Sequence, residues 1–152
     1  MNLKMMKRLA EREIFRYRDN RAYMQGILDA CGEPARLKEY ERVLWVRAVD
    51  CAKAFWEKED PLKAAFFAGY YRTDRPKKRY EQKPSIRALA MQLHVSEPTL
   101  YKWRSELVTT VVLAAIQVGV LQPYRLPDES GTAQNGVFCA SGTTLCIPHG
   151  NE

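Results

Sequence analysis

Apolar residues recur at intervals of three and four in the N-terminal half of the chain, which is the pattern of amphipathic helices. A first helix is predicted over residues 3–17, and Asp19-Asn20 offer a break and a cap for a second, short helix that ends at residues 31–34. The inner stripe of the first helix consists of Leu3, Met6, Leu9 or Ala10, Glu13 or Ile14, and Tyr17. That of the second consists of Tyr23, Met24, Ile27 and Leu28.

Two prolines predict the starts of the next two helices. Pro34 suits the first turn of a long helix that runs to residue 59, because proline there gives up no hydrogen bond. Asp60-Pro61 repeats the signal for a helix whose aromatic residues Phe66 and Phe67 are expected to fill the core. The predicted inner stripe of the long helix consists of Leu37, Tyr40, Leu44, Ala48, Cys51 and Phe55.

Residues 85–107 predict two helices joined by a very short turn. Ser85 and Ser96 are both good N-cap residues, and only His94-Val95 separates the first helix from the second cap. Ala90 is small enough to let the two helices cross closely. His94 is interpreted as a turn residue in the left-handed region, which histidine tolerates better than most residues. The shared core of this helix-turn-helix is expected to consist of Leu89, Ala90, Leu93, Val95, Leu100 and Trp103.

The chain divides by composition into four parts. We expect an N-terminal helical region at 1–71, an exposed basic linker at 72–84, the helix-turn-helix and a following apolar helix at 85–122, and a C-terminal arm at 123–152. The apolar run Val111–Leu121 is too short to span a bilayer, which takes about 20 residues, and is predicted as core or subunit contact. For the arm, two alternatives remain: a small hairpin that pairs residues 137–140 with 145–147, or a disordered tail. The expected fold class is all-α, a helical bundle containing a helix-turn-helix.

Positive charge is concentrated in the middle of the chain. The formal net charge is +6, and residues 61–108 hold ten basic and four acidic side chains, whereas residues 109–152 hold one arginine and three acids. A polyanion partner fits this distribution, because each neutralised phosphate releases condensed counterions. A solvated basic surface with no ligand is the plainer alternative.

The sequence offers little support for secretion, catalysis or metal binding. We find no secretion signal and expect a cytoplasmic protein with no membrane partner, in which Cys31 and Cys51 act as small apolar residues. Cys139, Cys146 and His149 lack the number and spacing of a structural zinc site. No phosphate-binding glycine loop or catalytic motif occurs. We therefore expect no enzyme activity, no cofactor and no metal.

The second helix of the motif is predicted to protrude and to enter the major groove of double-stranded DNA. In that geometry Lys102 donates to a guanine edge, Glu97 accepts from cytosine and the Thr99 methyl group touches thymine. A helix-dipole role for Glu97 and packing of Tyr101 on a neighbouring helix stay open as alternatives. The predicted base-contacting residues are Ser96, Glu97, Thr99, Tyr101, Lys102 and Ser105. The predicted backbone-contacting residues are Arg75, Lys77, Lys78, Arg79, Lys83, Arg87 and Arg104.

Residues 85–107 resemble the helix-turn-helix of the fourth region of sigma factors. The wider pattern resembles the phage-encoded ArpU/RinA-like transcriptional regulators, over roughly residues 7–121. That likeness is carried by residues 9–17, a long middle helix, the aromatic segment 66–71, residues 96–103 and the apolar helix that follows. The resemblance implies a regulator of phage or prophage genes. His94 departs from the motif, which usually carries glycine at this position.

Three functions follow as hypotheses. The first is a transcriptional regulator that forms a dimer or other homo-oligomer, or contacts RNA polymerase, through the long helix at 34–59 or the apolar run. The second is a phage DNA-packaging or recombination adaptor of the small-terminase kind, which assembles into larger oligomers. The third is a protein-interaction module that does not bind DNA. Oligomer mass separates the first two, and a DNA-binding assay separates the third from both.

Overall fold

The computed structural model describes residues 1–30 and 37–123, in which the chain forms six helices and no strand. This confirms the predicted all-α fold. The helices are α1 (Leu3–Phe15), α2 (Tyr17–Asp29), α3 (Leu37–Glu59), α4 (Pro61–Tyr71), α5 (Ile86–Leu93) and α6 (Glu97–Gln117). The proposed helix start at Pro34 and the whole of the C-terminal arm after residue 123, with its candidate hairpin and cysteines, lie outside the described residues. No helix in the described part is both long and apolar enough to cross a bilayer.

Short polar side chains begin three of these helices by accepting the backbone N–H groups that the first turn leaves free. Asn2 Oδ1 accepts from Met5 N at 2.9 Å. Asp60 Oδ1 accepts from the amides of residues 62 and 63 at 3.2 and 3.3 Å, directly before Pro61. Ser85 Oγ accepts from Ala88 N at 3.3 Å. The predicted caps at Asp60 and Ser85 are confirmed.

The boundary between α1 and α2 lies at Arg16, so the predicted break at Asp19-Asn20 is wrong. Arg16 keeps a near-helical backbone, with φ −85° and ψ −5°, so this one residue alone separates the two helices. Asn20 is buried inside α2, where its side-chain amide donates to Glu13 Oε2 at 3.4 Å. Its amide therefore satisfies a buried carboxylate and does not cap a helix.

The buried face of α3 also differs from the predicted stripe. Of that stripe Ala48 is fully buried, but Tyr40 and Phe55 are about half exposed and Cys51 is exposed. Because α3 packs against α2, α4 and α6, the residues pointing between these neighbours form the innermost row instead. This row consists of Val43, Trp45, Val46, Ala48, Val49 and Ala52.

The longest apolar stretch belongs to a single 21-residue helix, α6, which begins in the predicted motif and continues without a break. The sequence pattern predicts a motif helix and a separate apolar helix, but nothing between Leu107 and Val111 interrupts the hydrogen-bonded ladder. The second half of α6 buries Leu107, Val108, Val111, Val112, Ala114 and Ala115 in the core, whereas Leu113 on its other side is exposed. This confirms the apolar run as core. The first half of α6 is continuous with this buried half and is also bound directly to α1, where Arg104 donates to Glu11.

Candidate nucleic-acid interface

The turn between α5 and α6 is closed by His94 in the left-handed region, with φ 54° and ψ 43°. The amide of His94 donates to the last turn of α5, and Val95 N donates to Ala90 O at 3.0 Å. These bonds satisfy carbonyls that the end of a helix leaves free. The predicted turn role of His94 is confirmed. Together, α5, residues 94–96 and the start of α6 form what we call the turn unit.

Small residues let the turn unit pack closely on the rest of the fold. Ala90 is buried, and a Cβ atom on Gly69 of α4 would lie 3.0 Å from Leu89 Cδ2, so glycine allows this close approach of α4 and α5. Leu100 is fully buried. The other predicted core residues are partly buried and pack against the same core: Leu89, Leu93, Val95 and Trp103. The predicted core of the motif is therefore assembled, with Leu100 at its centre.

The solvent side of the turn unit carries the residues that the sequence predicts to contact bases. We call them the base-contacting face: Ser96, Glu97, Thr99, Tyr101, Lys102 and Ser105. All of these residues are exposed except Thr99, which is partly buried. Tyr101 keeps 54% of its surface exposed, so its side chain is available to a ligand. Ser96 occupies the N-cap position of α6 without capping it, because its hydroxyl is hydrogen-bonded to that of Thr99 at 2.7 Å.

Arg104, one of the predicted phosphate-backbone contacts, is bound within the fold. Its Nε donates to Glu11 Oε1 of α1 at 2.6 Å, and its guanidinium lies over the ring of Tyr70. The same oxygen of Glu11 accepts from the Tyr71 hydroxyl at 3.0 Å. The pKa of the Tyr71 hydroxyl is raised well above its usual value, mainly by burial and secondly by the negative charge of Glu11. A phosphate would have to compete with Glu11 for Arg104.

The basic linker at 72–84 is bound to α2 mainly through the carboxylate of Glu81. Arg18 binds Glu81 through both terminal nitrogens at 2.8 and 2.5 Å, and Arg72 Nη1 donates to the same group at 3.2 Å. The amide of Lys78 donates to it as well. The hydrogen bonds from Arg18 are the main cause, and the bond from the Lys78 amide the second, of a Glu81 pKa that lies well below its usual value.

The cations of this linker divide into two groups. Arg72 is partly buried by its bond to Glu81, and Lys77 pairs with Asp19 on the surface at 3.0 Å. The other predicted backbone-contacting residues of the linker form no salt bridge within the described part of the chain and are exposed: Arg75, Lys78, Arg79 and Lys83. The same holds for Arg87 in α5. The prediction of an exposed basic linker therefore holds for these linker side chains, on a backbone that Glu81 anchors.

We expect Glu81→Gln to release the linker. The pKa of Glu81 is lower in the folded state than in the unfolded state. The Glu81 carboxylate therefore stabilises the fold fully above its unfolded-state pKa, and this contribution is lost as the pH falls from that value through the folded-state pKa. The variant should be cleaved by trypsin within residues 72–84 several-fold faster than the wild type, and its stability should lose part of the wild-type acid dependence. Glu41→Gln, at an exposed position of α3, is the control. Equal cleavage rates for all three proteins would contradict the anchoring role.

A second basic element lies beside the base-contacting face and is absent from the predicted site. An open groove separates α1 from α6. It is lined by Lys4, Lys7, Arg8 and Glu11 on the α1 side and by Tyr101, Arg104 and Ser105 on the α6 side. Lys7 Nζ donates to Ser105 Oγ at 3.3 Å. The charges of α1 are visible in the sequence, but their position next to α6 depends on a tertiary contact between residues far apart in the chain.

The described residues contain no cluster of three or more His, Cys, Asp or Glu side chains that could hold a metal ion. Cys51 is a free, exposed thiol. The chemistry available at the site is thus that of cations, hydroxyls and an amphipathic helix end. In comparisons with known proteins, no family model, no curated protein and no solved structure matches the chain.

Proposed function

We propose that this protein binds double-stranded DNA sequence-specifically by placing the start of α6 in the major groove. The observation that carries the proposal is that the start of α6 is amphipathic, with one side buried in the core and the other exposed to solvent. Leu100 on its inner side is fully buried, while Tyr101 and Lys102 on its outer side face solvent. An α-helix held this way has the dimensions that the major groove admits.

The outer side chains supply hydrogen-bonding groups for base edges. Lys102 donates to a guanine, and Glu97 in the first turn of α6 accepts from a cytosine amino group. The Thr99 methyl group supplies an apolar contact for thymine. The bond between the hydroxyls of Ser96 and Thr99 orders both side chains before DNA arrives.

Phosphate contacts come from the linker and from the start of α5. Arg75, Lys78 and Arg79 carry exposed charges on an anchored backbone, so less conformational freedom is lost when they meet a phosphate. Lys83 and Arg87 flank the N-cap of α5, where the helix dipole also favours an anion. These contacts fix the register of the protein on the duplex without reading its sequence.

The biological role that we propose is regulation of phage or prophage transcription in the cytoplasm. Support comes from the resemblance of residues 7–121 to the ArpU/RinA-like regulators, together with the helix-turn-helix arrangement. A homo-oligomer, in the simplest case a dimer, would pair two such units on a symmetric site. RNA polymerase is the further partner that this role implies.

The proposal predicts different effects for two kinds of lysine. Lys102→Ala should lower the preference for the best site over mixed-sequence duplex by about 1–3 kcal/mol, because a hydrogen bond to a base edge is removed. Lys77→Ala combined with Lys78→Ala should weaken both duplexes alike, because phosphates are the same in every sequence. Fluorescence anisotropy titrations at one fixed salt concentration measure both effects. Equal losses of affinity on the two duplexes for Lys102→Ala would contradict its role in reading bases.

A further inference from the structure

The groove between α1 and α6 places a second set of cations next to the base-contacting face. We call Lys4, Lys7 and Arg8 the α1 basic face. Lys7 lies at hydrogen-bond distance from Ser105, the last residue of the base-contacting face. The α1 basic face therefore continues the proposed DNA-binding surface on the C-terminal side of that face.

The acidic residues of α1 do not neutralise these cations. Glu11 also lines the groove, but it is bound by Arg104 and by Tyr71. Glu13 is buried and pairs with Arg12 and Arg16. Both carboxylates of the helix are thus engaged within the fold.

The α1 basic face is not engaged in ion pairs within the described part of the chain. None of Lys4, Lys7 and Arg8 forms a salt bridge with another described residue. The opposite wall of the groove adds the hydroxyls of Tyr101 and Ser105, which can donate to a phosphate oxygen. The one carboxylate of the groove, Glu11, is already bound by Arg104, so the three cations of α1 leave the groove with a net positive charge that is complementary to a phosphodiester chain.

We infer that the α1 basic face binds the phosphodiester backbone of the duplex that α6 enters. The inference rests on the proposed function and adds to it a surface from the opposite end of the sequence. The linker, the start of α5 and α1 would then each supply phosphate contacts to the duplex that the base-contacting face reads. The α1 contacts hold the duplex without regard to sequence and contribute to affinity and to its salt dependence.

The test compares the wild type with the triple variant Lys4→Ala, Lys7→Ala, Arg8→Ala. The dissociation constant for a mixed-sequence duplex is measured over a series of salt concentrations. The slope of log K against log salt should become shallower by about 0.9 for each phosphate that the variant no longer neutralises. Lys38→Ala, which removes an exposed lysine at the start of α3, is the matched control and should leave the slope unchanged.

Two further measurements separate charge from folding. The variant in which Lys4 and Lys7 are replaced by arginine should keep the wild-type slope, because the charge is retained. Arg8→Ala alone removes an exposed side chain and reports on the same surface if the triple variant does not fold.

The outcomes distinguish this inference from the function on which it rests. Wild-type binding with an unchanged slope in the alanine variants overturns the role of α1 and leaves the proposed function standing. No wild-type binding to any duplex overturns both.

Discussion

Phe66→Ala should destabilise the protein by about 3–5 kcal/mol, the largest effect we expect from a single substitution. Phe66 has no exposed surface, stacks on Tyr70 at a ring-centroid distance of 5.7 Å and meets the edge of Trp103 at 6.2 Å. Truncation removes the ring from a core shared by α4 and α6 and leaves a cavity. Denaturant unfolding monitored by circular dichroism measures the loss of stability.

Phe55→Ala is the matched control for this substitution. Phe55 has the same side chain on α3 but is 49% exposed, so its replacement should cost far less. Trp103→Ala should also cost less than Phe66→Ala, since Trp103 is only partly buried at the rim of the core. Similar losses of stability for Phe66→Ala and Phe55→Ala would contradict the placement of the core.

Glu11→Ala should cost about 2–3 kcal/mol of stability, because two donors lose their shared acceptor. The Tyr71 hydroxyl is left without this partner in a side chain that is only 3% exposed. The Arg104 guanidinium loses the carboxylate that ties α6 to α1, although water can reach a third of its side chain, which reduces the cost. Thermal and denaturant unfolding of the variant test this expectation.

A double-mutant cycle that combines Glu11→Ala with Arg104→Ala measures the interaction energy of the Glu11–Arg104 ion pair. We expect a coupling energy of about 0.5–3 kcal/mol between Glu11 and Arg104, as for residues in direct contact. Glu41→Gln, on the exposed face of α3, serves as the control and should change little. Unchanged stability of Glu11→Ala together with tighter DNA binding would show that Arg104 is a phosphate contact and not an internal tie.

Local signals in the sequence predict much of the fold. Asp60 and Ser85 cap helices as expected, since N-capping depends only on a side chain and the amides two or three residues later. His94 adopts the left-handed turn conformation for an equally local reason. The buried pair Phe66 and Phe67 follows from the strongly apolar composition of α4.

The failures share a tertiary cause. Asn20 has the capping propensity that suggested a break, but burial beside Glu13 gives its side chain another use. The innermost row of α3 is set by three neighbouring helices, and periodicity on one helix does not indicate how many neighbours it has.

In the candidate site too, features that depend on one segment could be predicted from the sequence, whereas contacts between distant segments could not. The outer residues of α6, including Tyr101 and Lys102, follow from helical spacing within one segment. The engagement of Arg104 by Glu11 and the position of Lys7 beside Ser105 join residues more than ninety positions apart in sequence. No pattern within a single sequence contains those contacts.

Selection of bound duplexes from a random-sequence pool tests the central claim most directly. If the start of α6 enters the major groove and contacts base edges, the wild type should enrich a defined consensus, and Lys102→Ala should relax it at a limited set of positions. A consensus with two-fold symmetry would also give the spacing of two half-sites. Recovery of a pool with no sequence preference, or of no bound duplex at all, would contradict sequence-specific recognition by α6.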